Sequence, residues 1–414
     1  MVSTSNKRSL PDPRIHVCIL TSVHPIDDIR VYHKFARTFV REGFRVTWVG
    51  PDWTFADLTA RQEHGIDFRL FPHANSKLGR LLAYPHVYRK ARELPDVDVF
   101  YAPEPDSALA AVRLAARKRC RAIFDIHEMY HGAMLHHWVK GPLGRVAGSI
   151  LYRQILCICS RCDLVVGVSR AVLEPFRQMK TESLVLRSCA PAYFSQGPPA
   201  EVCHPTRSTF TVMHGKADLY RGTATVLEAL HLAKQQLPQL RSIMFDKTLD
   251  SNLGFGKEAF LERVAGLQLA DVVDLRAAVS LREMPAILRT CDAGLIAYGR
   301  RLGTDSLPNR LFEYMAAGLP VIAPTYSPEI CRILREEKCG VTADFEDPSS
   351  IAAALVTLSQ NPEQCRQMGQ RARQAFEKRH NWEVEVRPLL SRIRSWASPE
   401  ATEPGSFGTG IVRV

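Results

Sequence analysis

No run in the chain approaches the ~20 consecutive apolar residues needed to cross a bilayer, and residues 1–13 are polar, with Pro11 and Pro13, and lack the apolar core of a secretory leader. The expected location is therefore the cytoplasm, or the inner face of a membrane as a peripheral protein. Cysteine is poorly suited to a disulfide framework: there are 11, an odd number, scattered through segments that read as strands and helices, so reduced thiols are expected. Cys157, Cys159 and Cys162 cluster, but no second Cys/His pair stands at zinc-site spacing. They read as small soft side chains on a buried helix, and no metal is expected. Zinc-finger, ribonucleoprotein and basic-helix patterns are also missing, and Lys and Arg are spread over many elements, so nucleic acid is not an expected partner.

What remains suits a large enzyme. The 414 residues are 46% hydrophobic, enough to fill two or three domain cores. Residues 1–200 hold 28 Lys+Arg against 18 Asp+Glu, whereas 201–414 hold 26 against 25, so the first half carries most of the net +11. A basic half-molecule attracts an anionic or membrane-associated acceptor. Nothing in the pattern sets an oligomeric state.

The pattern alternates strand and helix twice over. Strands are expected at 15–21, 45–50, 66–71, 97–102, 122–126 and 164–169, with helical stretches such as 31–42, where Tyr32, Phe35, Ala36, Phe39 and Val40 share a face. A second series starts at Phe210 and continues near 241–245, 272–275, 293–297, 321–323 and 340–343. Such alternation gives parallel sheets covered on both faces. Between them, 188–207 has linker composition, rich in Pro, Gly and Ala without periodicity. The expected division is 14–187, then 208–380, then a terminal helix over 381–398, with tails at 1–13 and 399–414.

Residues 305–323 concentrate the most information. Pro308 suits a helix start; Leu311, Phe312 and Met315 form an apolar stripe; Gly318 and Pro320 end the helix, and Val321-Ile322-Ala323 reads as a buried strand. Asp305 and Glu313 bracket a helix start whose free N–H groups suit phosphate or hydroxyl. An ordinary amphipathic helix with a surface Glu explains the same periodicity. In 210–230 an apolar strand ends at His214-Gly215, and Lys216 and Arg221 lie in the loop before a helix near Gly222. Lys supplies point charge and Arg a planar fork, a pair suited to a diphosphate, although two solvated cations would read alike. Earlier, His127-Glu128 follows the strand ending at Ile126, at the mouth of a parallel sheet where ligands bind.

The spacing of Asp305, Glu313 and the Gly318-Leu319-Pro320-Val321 turn resembles the signature of the family 4 glycosyltransferases. That resemblance implies a GT-B fold: α/β, two Rossmann-like parallel-sheet domains facing each other across a cleft, with a C-terminal helix crossing back. It implies a retaining, metal-independent transfer from a nucleoside-diphosphate sugar. Glu313 falls on the residue that grips the nucleotide ribose, Asp305 on the acid beside the donor sugar, one methylene shorter than the usual Glu, and Lys216 and Arg221 on the diphosphate pair. Asn309 and Arg310, on the first helical turn, are expected donor-binding residues, with Asn309 orienting donor oxygens. A subset of the family has Asp-x-His-Glu where Asp125, His127 and Glu128 stand, its His facing the donor sugar near the reacting carbon. The glycine pair that many relatives carry after the first strand is missing; His24-Pro25 followed by Asp28 and Arg30 resembles a subset, which implies that Asp28 and Arg30, with Glu128, are acceptor or cleft residues. Glu104-Pro105-Asp106 departs from the family's usual His-Asp-Pro and receives no role.

The expectation is a glycosyltransferase acting on a small-molecule, glycan or lipid-linked acceptor. One alternative is a nucleotide-sugar epimerase of the same fold. Another is a zinc peptidase using His127-Glu128-x-x-His131, disfavoured because that motif requires one continuous helix and here follows a β-branched run. A catalytically silent sugar-nucleotide-binding scaffold is the third. Gly254-Phe255-Gly256 is a weak dinucleotide fingerprint, since no strand directly precedes it.

Overall fold

A computed structural model describes residues 14–53, 60–73, 83–127, 142–203, 208–218, 222–246, 256–304 and 306–397. The chain divides into two compact units, Met1–Val185 with Pro388–Val414, and Leu186–Arg387. The division falls before the linker-like stretch because Cys189, Ala190 and Phe194 are buried in the second unit's core. The Trp382 amide also donates to the Ala190 carbonyl at 2.9 Å.

The first unit is built on β1 (His16–Leu20), β2 (Arg45–Asp52), β3 (Ala60–Glu63), β4 (Ile66–Pro72), β5 (Val99–Ala102), β6 (Arg121–Ile126), β7 (Leu164–Gly167) and β8 (Glu182–Val185). They form an eight-stranded sheet in the order β3-β4-β2-β1-β5-β6-β7-β8. Every neighbouring pair is parallel except β3 with β4. Neither β3 nor β8 was expected from the sequence. β3 is joined to β4 by His64 (φ 51) and Gly65 (φ 79), a two-residue hairpin turn needing positive φ twice, which His-Gly supplies but does not advertise. β8 is an exposed to half-buried edge, so it lacks the apolar run that betrays a central strand.

Side chains pack on both faces of this sheet. Phe35, Phe39, Trp48, Phe68 and Tyr101 are fully buried, and rings meet at 4.6 Å between Phe35 and Tyr101. Helix Ile29–Ala36 is wound with π spacing before it continues as Arg37–Arg41. Helix Arg387–Ala397 belongs to this unit from Pro388 onward. It buries Leu389, Leu390 and Ile393; Arg392 donates to Glu182, Arg394 donates to Glu42 at 2.7 Å, and the Arg121 guanidinium lies 5.9 Å from the centre of the Trp396 ring.

The second unit has β9 (Phe210–Lys216), β10 (Leu240–Phe245), β11 (Val273–Arg276), β12 (Ala293–Leu295), β13 (Val321–Pro324) and β14 (Gly340–Ala343). They form a six-stranded parallel sheet in the order β11-β10-β9-β12-β13-β14. The order reverses between β9 and β12, and in the first unit between β1 and β5. These are the topological switch points at whose carboxyl ends doubly wound folds bind ligands.

Among the described residues no helix is long and apolar enough to cross a membrane.

Candidate active site

In the second unit the switch point is organised by helix Asn309–Ala317. Pro308 is its N-cap residue, extended at ψ 146, and Gly318 ends it in the left-handed region at φ 80, where a side chain would be strained. Tyr314 anchors the helix to the sheet: its buried hydroxyl lies 3.2 Å from both the Met213 carbonyl of β9 and the Leu295 carbonyl of β12, the two strands that flank the reversal. One turn earlier Arg310 donates from Nη1 to the His214 carbonyl at 2.8 Å. Gly215 has φ +87, and a Cβ placed on it would lie 3.1 Å from Arg310 Nη1. The glycine therefore lets the guanidinium close on the strand end, immediately before the half-buried Lys216.

The loop after β9 is tied back by Thr223. Its hydroxyl donates to the Asp218 carbonyl at 2.8 Å and accepts from the Asp218 amide at 2.7 Å, while the buried His214 Nε2 lies 2.9 Å away. Gly222, at φ 66, opens helix Thr223–Lys234. Glu313 is half-buried. Burial first, and then the Glu313 charge, raise the Tyr193 phenol, which places that carboxylate in the field of the short helix Ala192–Ser195. The structure thus brings Lys216, Asn309, Arg310 and Glu313 to one end of one sheet. Arg221 and Asp305 lie outside the described residues, as do Glu128 and His131.

At the first unit's switch point the loop after β1 meets the loop after β5. Glu104, buried at 5% exposure, accepts from the Thr21 hydroxyl at 2.5 Å, the Ser107 hydroxyl at 2.6 Å and His24 Nδ1 at 2.5 Å. Burial alone would lower the His24 pKa, but the hydrogen bond and charge of Glu104 raise it to about 9. Burial likewise opposes ionisation of Glu104, yet His24, Ser107 and Thr21 hold it below the usual carboxylate range. Asp106 is pushed up to about 6, by burial and then by the Glu104 charge, although it accepts from the Ser22 hydroxyl at 2.9 Å. Glu104 and Asp106, unassigned from the sequence, stand at the centre of this end of the sheet.

Asp28 and Arg30 have built-in structural tasks. The Asp28 carboxylate caps helix Ile29–Ala36 by accepting from the Arg30 and Val31 amides at 2.8 and 2.7 Å. Arg30 is buried and donates through Nε and Nη2 to the two oxygens of Asp125, at 2.8 and 2.7 Å, with Tyr101 donating to the same carboxylate at 2.5 Å. Burial would raise the Asp125 pKa, but Arg30 holds it down. Two residues on, His127 follows the last residue of β6, so it begins from a strand end and not from within a helix. Its ring lies 5.1 Å from that of His24, with planes at 62°. Among the described residues no group of three His, Cys, Asp or Glu is placed to hold a metal ion. Cys159 and Cys162 are buried free thiols and Cys157 is exposed.

Fold and site together define a protein of two doubly wound α/β units with polar and charged side chains gathered at both switch points. Residues 30–183 match glycosyltransferase family 4 and residues 200–375 match glycosyl transferases group 1; the chain belongs to the family 4 type, has the GT-B fold and is a glycosyltransferase. Its structure is similar to that of HepE from Anabaena, solved with UDP, at TM-score 0.71 and 16% identity over 92% of this chain and 100% of the other. Sucrose-phosphate synthase from Thermosynechococcus elongatus is similar at TM-score 0.70 and 15% identity, over 92% and 98%. The trehalose 6-phosphate synthase of Burkholderia multivorans gives TM-score 0.66 and 12% identity over 95% and 99%. No curated protein sequence matches the chain.

Proposed function

We propose that the protein transfers a sugar, with retention, from a nucleoside-diphosphate donor to an acceptor recognised mainly by the first unit, without a metal. The observation that carries this reading is the Arg310 bond to the His214 carbonyl beside Gly215. It fastens the N-terminal turn of helix Asn309–Ala317 to the end of β9, so that Lys216, Asn309, Arg310 and Glu313 surround one switch point. HepE has been solved with UDP and with UDP-glucose, which makes uridine nucleotides the first donors to test. The family resemblance is what supports retention in this reading.

In this reading Lys216 and Arg221 neutralise charge that develops on the departing diphosphate, where electrostatic help acts most when the anomeric bond breaks. The helix N-terminus adds its N–H dipoles. Glu313 accepts from the ribose hydroxyls, Asp305 lies by the donor sugar, and His127 hydrogen-bonds that sugar near the reacting carbon. Glu128 is assigned to acceptor contacts. Asp28 and Arg30 serve the same end of the first unit by shaping it. The surplus of basic residues in the first half fits an anionic or membrane-associated acceptor.

Lys216→Ala should weaken UDP binding by about 1.5–3 kcal/mol, the value of a charge-assisted contact. Titration calorimetry reads this directly, and an unchanged affinity would return Lys216 to the surface-cation reading. Glu313→Gln should chiefly weaken nucleotide binding, whereas His127→Ala should leave UDP affinity intact and lower turnover. Equal effects of both on UDP affinity would refute the division of roles. Anomeric configuration of the product, followed by NMR, tests retention, and conversion of donor to its epimer without acceptor would replace transfer by epimerisation.

A further inference from the structure

The two loops that meet at the first unit's switch point hold an ion pair, His24 with Glu104, that the proposed transfer leaves without a role. Glu104 is surrounded by donors: the Thr21 and Ser107 hydroxyls, the Ser22 amide at 3.3 Å and His24 Nδ1. Thr21 Oγ1 itself accepts from the His24 amide at 3.0 Å, so its proton is directed to Glu104. A carboxylate with that many donors is ionised, and it fixes the His24 ring by its Nδ1 edge. The same ring meets His127 edge to face at 5.1 Å. His127 stands past the end of β6, while its neighbour two residues back, Asp125, is locked by Arg30 and Tyr101. The end of β6 is thereby set, and the His24 ring packs edge to face against the His127 ring just beyond it.

We propose that His24, clamped by Glu104 across the β1/β5 switch point, is a positioning residue that fixes the orientation of the His127 imidazole for its contact with the donor sugar. The proposal rests on the role given to His127 above. A ring held within a narrow angular range meets a sugar hydroxyl without first giving up rotational freedom, and a misplacement of about 1 Å costs roughly a hundredfold in rate. His24 also occupies the loop where many relatives carry a glycine pair. A side chain that supports a neighbouring ring is a different use of that loop from a bare backbone.

Two variants separate positioning from plain structural support. His24→Leu removes both ring and donor, whereas His24→Asn keeps a donor for Glu104 but has no ring for His127. Both should lower kcat for UDP release from UDP-glucose, with water accepting the glucosyl group, by roughly tenfold to a hundredfold with UDP affinity unchanged, and His24→Asn should recover the thermal stability that His24→Leu loses. Independently of turnover, the His127 ring resonances in the NMR spectrum of the full chain should shift or broaden in His24→Asn. Combining either variant with His127→Ala should lower kcat no further than His127→Ala alone. Wild-type kcat, or an unmoved His127 resonance, in His24→Asn overturns the positioning role. Unimpaired turnover in His127→Ala overturns instead the sugar contact on which it depends.

Discussion

Asp125→Ala should lower the stability of the first unit by about 3–5 kcal/mol, the cost of leaving a buried charge without its partner. Arg30 retains only 7% exposure and Asp125 none, so water cannot take over the lost contact, and Tyr101 loses its acceptor in the same step. Denaturant unfolding followed by Trp fluorescence measures the change; a difference below about 1 kcal/mol would show that the pair is not the lock described here. The pH dependence has a definite sign. Burial raises the Asp125 pKa and Arg30 more than reverses this, so the net folded value lies below the ordinary one. The resulting stability is complete above the unfolded value of about 3.9 and is lost as pH falls through the folded value. Acid should therefore cost the native protein more than it costs Asp125→Ala.

Gly294→Ala should be nearly as damaging in the second unit. A Cβ at that position would lie 2.3 Å from Tyr314 Cδ2, and the Tyr314 ring is buried with its hydroxyl on carbonyls of β9 and β12. Overpacking of this kind costs about 1–3 kcal/mol, and here the ring that must move holds helix Asn309–Ala317 in place. UDP affinity should fall together with the melting temperature, because Arg310 and Glu313 travel with the same helix. Tyr314→Phe removes the hydroxyl and leaves the ring, so it should cost only about 1 kcal/mol. Thermal unfolding with and without UDP separates the two effects. Full UDP affinity in a destabilised Gly294→Ala protein would mean that the helix does not carry the nucleotide site.

The strands of both sheet interiors were legible because each is a short apolar run between turn residues, and parallel strands buried on both faces read that way. Gly340–Ala343 matches its expected bounds, and Phe210–Lys216 begins where expected. The edges were not legible. β8 and β3 are polar enough to pass for loop, and only the His64-Gly65 turn identifies β3 as half of a hairpin. Among the candidate residues, the positions of Lys216 at a strand end and Glu313 near a helix start were visible, both being local signals. Partners were not: Arg30 and Asp125 are separated by 95 positions and His24 and Glu104 by 80, distances over which no periodicity speaks. Asp28 had a nearer signal, since an Asp just before a helical stretch is a cap. Reading it only as a cleft residue passed over that task.

Helix Arg387–Ala397 is joined through Arg392, Arg394 and Trp396 to the unit that begins the chain, while the intervening Leu186–Arg387 forms a unit of its own. During synthesis at ~5–20 residues per second, a ribosome adds some two hundred residues, a delay of roughly 10–40 seconds, between completing β8 and supplying that helix. The first unit to emerge is thus the last to be finished. Its nascent form waits with the surface for Leu389, Leu390 and Ile393 uncovered, whereas the second unit can close on its own sequence, so the order of completion along the chain runs opposite to the order of synthesis.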